Sequence, residues 1–191
     1  MEAGSILSDL ANVFRAAGDR HSLGFCLAFR GRAELRAGRV EEAMSYLEEA
    51  RVEFERAAAQ GDIFQVEAHL AECRLFTGEA KRALDDVTLL LEGAHERGDA
   101  GLFVPNLLRV RGYALAQVGD LGAAREAFEE SLAAARAGDA DYEVALSLQV
   151  LMRLAVLEGT APPDGAVAES AAILNRLGVV AVPAVPLARG L

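Results

Sequence analysis

The chain has 191 residues and a net charge of −10, with 52% hydrophobic residues, 25% charged residues, only 6% aromatics and no Trp. That balance excludes a disordered polyampholyte and a linker-dominated chain. It also argues against a sequence-independent binder of nucleic-acid phosphates, which needs a basic face. The abundance of Ala, Leu, Glu and Arg, all strong helix formers, points to packed helices.

Residues 1–10 include Glu2 and Asp9 and lack a basic region leading into an apolar stretch, so no export signal is read there. No run of 18 apolar residues occurs, and membrane contact is not expected. Two cysteines, Cys26 and Cys73, do not make a disulfide framework. A reducing cytoplasm is the expected location.

Helical periodicity predicts helices over 3–17, 20–37, 40–59, 63–77, 80–97, 101–118, 121–137, 140–158 and 164–177. In the first, Ile6, Leu10, Val13, Phe14 and Ala17 line one face. The stretches between are short and glycine-marked. Gly38, Gly78, Gly119 and Gly159 recur at a nearly constant interval. A second series, Gly18, Gly61, Gly98, Gly138 and Gly178, falls between them, and the first four of these are followed by Asp19, Asp62, Asp99 and Asp139. Each glycine is expected to end a helix in the left-handed conformation, and each following Asp to cap the next one. Connections this short make neighbouring helices antiparallel.

Small residues recur where paired helices must touch. Gly31, Ala71 and Gly112 stand seven residues before a turn glycine, and Ala43, Ala83 and Ala124 stand five after it. Leu47, Val87 and Phe128, nine after it, are the expected fillers between hairpins.

With this pattern in place, the segments 31–50 and 112–132 resemble tetratricopeptide repeats. The repeat is longer than that family's usual length of about 34 residues, and it lacks the early Trp and closing Pro. The resemblance implies an all-α fold, an α-α superhelix in the form of a right-handed solenoid of about four helical hairpins. The repeats would cover about 20–59, 63–97, 101–137 and 140–177 within a domain of residues 1–178. Helix 3–17 would be an unpaired leading helix, offering a homodimer contact through Ile6, Leu10 and Phe14. Residues 179–191 form an apolar, Pro-containing tail expected to cover helix 164–177 or to dock on another molecule. The lengthened repeats are similar to those of large actinobacterial regulators, in which ATPase and DNA-binding or cyclase domains precede the repeat region.

No phosphate-binding loop, dinucleotide fingerprint, nucleophile elbow or paired-cysteine zinc motif is present, and a catalytic role is not expected. His69, Glu72 and Cys73 share a helix face, but a fourth ligand is missing, so they are read as interfacial, solvent-facing and core residues, with no metal or cofactor. Glu41, Glu42, Glu48 and Glu49 are read as a solvated outer face.

In the tetratricopeptide family the first helix of each hairpin lines the concave surface. Carried over by register, that surface holds Arg32, Leu35 and Arg36, then Gln65, Glu72 and Phe76. Farther along it holds Asn106, Arg109, Tyr113 and Gln117, and finally Gln149 and Arg153. Four of these are Arg, a bias suited to an acidic protein or peptide segment held by bidentate contacts at Arg32, Arg109 and Arg153. The expected function is therefore protein or peptide binding by a regulator, with ligand sensing or oligomerisation that controls attached domains as the alternative.

Overall fold

The computed structural model of the chain describes residues 2–97, 103–182 and 184–187. The described residues form nine α-helices and no strand: α1 (Glu2–Ala17), α2 (Arg20–Arg36), α3 (Val40–Arg56), α4 (Gln60–Phe76), α5 (Ala80–Arg97), α6 (Val104–Val118), α7 (Leu121–Ala137), α8 (Asp141–Glu158) and α9 (Ala166–Arg176). They divide into two compact units, residues 1–77 and 78–191, so the boundary falls in the turn of the expected second repeat. Among the described residues no helix is long and apolar enough to cross a membrane.

In the first unit α1 packs on α2, α2 on α3 and α3 on α4, while α2 and α4 also touch. The pairing of α2 with α3 is tight because the sequence removes side chains at the crossing. A Cβ on Gly31 would stand 2.7 Å from Leu47 Cγ and 3.0 Å from the Ala43 carbonyl oxygen, and a Cβ on Gly24 would meet the Phe54 ring at 2.7 Å. Ala43, Leu47, Ala50 and Phe54 are buried on the α3 side of that contact. Glu34 ties the following turn. Its carbonyl accepts the Arg39 N–H, and its buried carboxylate is gripped by Arg30 Nε at 2.6 Å and by Arg39. Burial raises the cost of that charge, but the two guanidiniums prevail and hold the carboxyl below its usual range.

The leading helix is only half covered. Ala11 is buried and Phe14 packs against the core of this unit, so Phe14 is not free for the contact expected of it. Of the other residues expected on its apolar face, Ile6 and Val13 are 57% and 60% exposed, and Leu10 is also exposed.

In the second unit α5 packs on α6, α6 on α7, α7 on α8 and α8 on α9; α6 and α8 also touch. The α6–α7 crossing repeats the arrangement of α2 and α3. A Cβ on Gly112 would collide with the buried Phe128 ring, which in turn meets Tyr113 edge to face at 5.2 Å. Between α7 and α8 the buried Ser131 hydroxyl donates to the Pro105 carbonyl at 2.7 Å and lies 2.8 Å from the Ser147 hydroxyl, which satisfies both groups away from water.

The turn glycines Gly38, Gly78, Gly119 and Gly159 all have positive φ, as the spacing predicts. Asp19 and Asp120 cap α2 and α7 by accepting the Ser22 and Ala123 N–H groups at 3.0 Å. Two expected Gly-Asp junctions are displaced. Gly61 and Asp62 lie inside α4, and the left-handed residue before it is Ala58 (φ 55). At the other junction Asp139 itself is left-handed (φ 51), Gly138 is not, and Ala140 precedes α8 without a side-chain cap. The expected junction at Gly98 and Asp99 lies outside the described residues.

Both cysteines are buried and free. Burial pushes the Cys73 thiol up to about 12, and the neighbouring Glu72 carboxylate adds to the effect. An unfolded chain loses this proton near pH 9, whereas the folded chain keeps it, so the contribution is intact below pH 9 and is lost as pH rises toward 12. Between pH 8 and 10.5 the unfolding free energy of the native protein, read from urea titrations, should fall more steeply than that of Cys73→Ala, by up to about 1 kcal/mol per pH unit.

Gly31→Ala and Gly112→Ala should each destabilise the fold by about 1–3 kcal/mol in urea unfolding, because overpacking outweighs the helix propensity of Ala. Gly61→Ala, at an α4 position where a Cβ meets nothing within 4 Å, should leave stability unchanged or raise it by up to about 1 kcal/mol.

Candidate functional site

The two units treat the residues expected on the concave surface differently. In the first unit Leu35 belongs to the core, and Phe76 is half-buried against it. Arg32 is half-buried, its guanidinium 5.7 Å from the Phe29 ring centroid; Arg36 is exposed, and Gln65 and Glu72 are half-buried. His69 Nδ1 lies 3.7 Å from Glu72 Oε2, but the Cys73 thiol points into the core, and no group of three potential metal ligands exists among the described residues. A depression between α1, α2 and α3 is lined by Phe14, Arg15, Arg20, Leu23, Glu53 and Arg56. Its charges answer one another: Arg15 pairs with Glu49, and both Arg20 and Arg56 pair with Glu53.

In the second unit the expected residues converge on one place. Tyr113 and Gln117 stand one turn apart on α6, and Arg153 comes from α8. Arg153 Nη1 reaches the Tyr113 hydroxyl at 3.4 Å, while its Nη2 donates to the Val185 carbonyl at 2.7 Å. Gln117 Nε2 donates to the Pro186 carbonyl at 2.8 Å. The chain's own tail therefore lies against α6 and α8, contacts beyond the cover over helix 164–177 or the docking on another molecule expected of it. Exposure alternates over residues 184–187: Val185 and Leu187 are only 3% and 8% exposed, whereas Ala184 and Pro186 face outward, and the preceding Val180 and Ala181 are both exposed. That alternation is the mark of an extended segment with every second side chain inserted.

The remaining expected residues flank this seat. Gln149 is half-buried on α8. Asn106, three turns before Gln117 on α6, keeps a buried side-chain oxygen with no hydrogen-bond partner among the described residues. Arg109 is 5% exposed and forms an ion pair with Glu143 of α8. Its charge is answered from within the fold, which removes it from the set suited to a foreign carboxylate.

The sequence signal that reveals Glu143 lies in the Arg-to-acid spacing rather than in the glycines. Arg15–Glu49, Arg20–Glu53, Arg109–Glu143, Arg125–Glu158 and Arg136–Glu169 pair across 33 or 34 residues. Arg15–Glu49, Arg109–Glu143 and Arg136–Glu169 join a helix to the one two along the chain, while Arg20–Glu53 and Arg125–Glu158 join neighbouring helices. The longer glycine-to-glycine interval marks turn to turn and does not show this spacing.

No family model matches the chain, and no curated protein matches it. Glu143→Gln should destabilise the protein by about 3 kcal/mol in chemical denaturation, since it leaves the buried Arg109 without its counter-charge. Glu169→Gln, which breaks the exposed pair with Arg136, should cost less than about 1 kcal/mol.

Proposed function

We propose that this chain is a non-catalytic interaction domain, a tetratricopeptide-like stack of helical hairpins that binds an extended peptide segment of a partner protein. The observation that carries the reading is the seat on α6 and α8, where an extended segment already lies with two carbonyls held by Gln117 and Arg153 and two apolar side chains buried. Carbonyl recognition supplies affinity without reading sequence, and insertion of alternate side chains supplies selectivity. The helical-repeat architecture is supported by the recurrent left-handed glycines, by the matched crossings at Gly31 and Gly112, and by the packing of consecutive helices within each unit.

The partner chemistry differs from the acidic segment that the arginine bias suggests. Arg109 is matched by Glu143, and Arg153 donates to neutral oxygens. An uncharged apolar segment fits these donors better than a carboxylate-rich one.

Panning a displayed peptide library on the full chain tests the reading. Enriched peptides should be apolar and extended, and their capture should drop at least tenfold on Arg153→Ala and Gln117→Ala. Enrichment of acidic peptides whose capture ignores both changes would place the interaction elsewhere.

A further inference from the structure

We propose that residues 179–187 act as a tethered competitor for the α6–α8 seat, and that the partner it excludes is an uncharged extended segment of the same apolar–Pro–apolar chemistry. The inference rests on the peptide-binding reading above and adds the ligand class and its control. Three observations support it.

The first is the chemistry of the grip. The carbonyl held by Arg153 belongs to the amide that joins Val185 to Pro186, and the one held by Gln117 is that of Pro186 itself. A proline has no N–H, so a segment containing it cannot add to a helix or sheet through that residue and instead presents carbonyls to side-chain donors. Tyr113, whose hydroxyl lies 3.4 Å from Arg153 Nη1, ties the same guanidinium to α6.

The second is the tether. α9 ends at Arg176, Gly178 takes a left-handed conformation (φ 67), and Val185 is inserted seven residues later. A leash this short keeps the tail at an effective concentration in the millimolar range beside its seat. A free segment with the same intrinsic affinity must displace it, and its apparent affinity falls by the fraction of time the seat is open.

The third is the kind of contact that secures the tail. Among the described residues, side-chain donors and the buried Val185 and Leu187 hold it, rather than backbone hydrogen bonds to α6 or α8. Such a segment can leave without unfolding the helices beneath it.

The test uses a fluorescein-labelled synthetic peptide with the sequence of residues 179–187, followed by anisotropy against the full chain and against full-length Val185→Asp/Leu187→Asp. The unlabelled tail of the double variant cannot reinsert its charged side chains. Expected are weak binding to the native chain and at least tenfold tighter binding to the double variant. Adding Arg153→Ala to the variant should abolish the gain. Circular dichroism checks that helix content is kept; if the double variant loses it, Pro186→Gly loosens the tail without adding charge and is held to the same expectation. Equal tight binding by native and released chains overturns the control while leaving the peptide-binding reading intact. Absence of binding by a folded, released chain overturns both. A native dimer on size exclusion that reverts to monomer in the double variant shows the tail seated on a second copy, which overturns a competitor acting within one chain.

Discussion

The helix-ending turn governs much of this structure. At seven helix C-termini among the described residues the same two hydrogen bonds recur, with a left-handed residue donating to the carbonyl three positions back and the next residue donating to the one five back. The longer bond runs from Asp19 to Phe14, Arg39 to Glu34 and Ala59 to Phe54 in the first unit, and from Asp120 to Leu115, Ala140 to Ala135, Thr160 to Ala155 and Val179 to Leu174 in the second. Within each unit these donors are evenly spaced along the chain, so successive helices between them, each with its turn, occupy nearly the same length of sequence. The glycine-to-glycine repeat is then two such halves. Helices of matched length, reversed at matched points, bring Gly31 against Leu47 and Gly112 against Phe128 at the same height of their respective pairs.

This constraint explains which parts of the fold are legible in the sequence. Gly38, Gly119 and Gly159 are readable as stops because a residue with no Cβ is the least strained occupant of the left-handed position. Ala58 and Asp139 are not, because the two turn bonds and the packing of the flanking helices outweigh a local strain of about 1 kcal/mol. Gly61 and Gly138 attract attention by composition, but the turn lies beside them. Propensity locates a junction to within a few residues; the hydrogen bonds select the residue.

The candidate site is legible to a different degree. Tyr113 and Gln117 can be placed on one face of a helix from register, since side chains four apart share a face; setting Arg153 beside them takes the resemblance to tetratricopeptide repeats. Their ligand cannot be read in the same way. Counting arginines on the expected surface suggests an acidic partner, but a charge count says nothing about which charges the fold itself answers. Glu143 stands 34 residues after Arg109, the spacing that also joins Arg15 to Glu49, and it removes Arg109 from the account. On α6 and α8, what remains is a donor set, Gln117 and Arg153, directed at neutral oxygens.

The same reasoning changes the meaning of the tail. Read by composition, residues 179–187 are an apolar stretch that must hide from water, and any apolar surface would serve. Their burial pattern is more selective. Val185 and Leu187 are inserted, Pro186 faces out, and the intervening carbonyls meet donors from two different helices. Carbonyls that a docked segment takes from water need donors, and here the donors are side chains of α6 and α8 rather than a backbone ladder. Their presence gives the α6–α8 face directional requirements, and on the proposed reading those requirements are what a rival segment would have to meet.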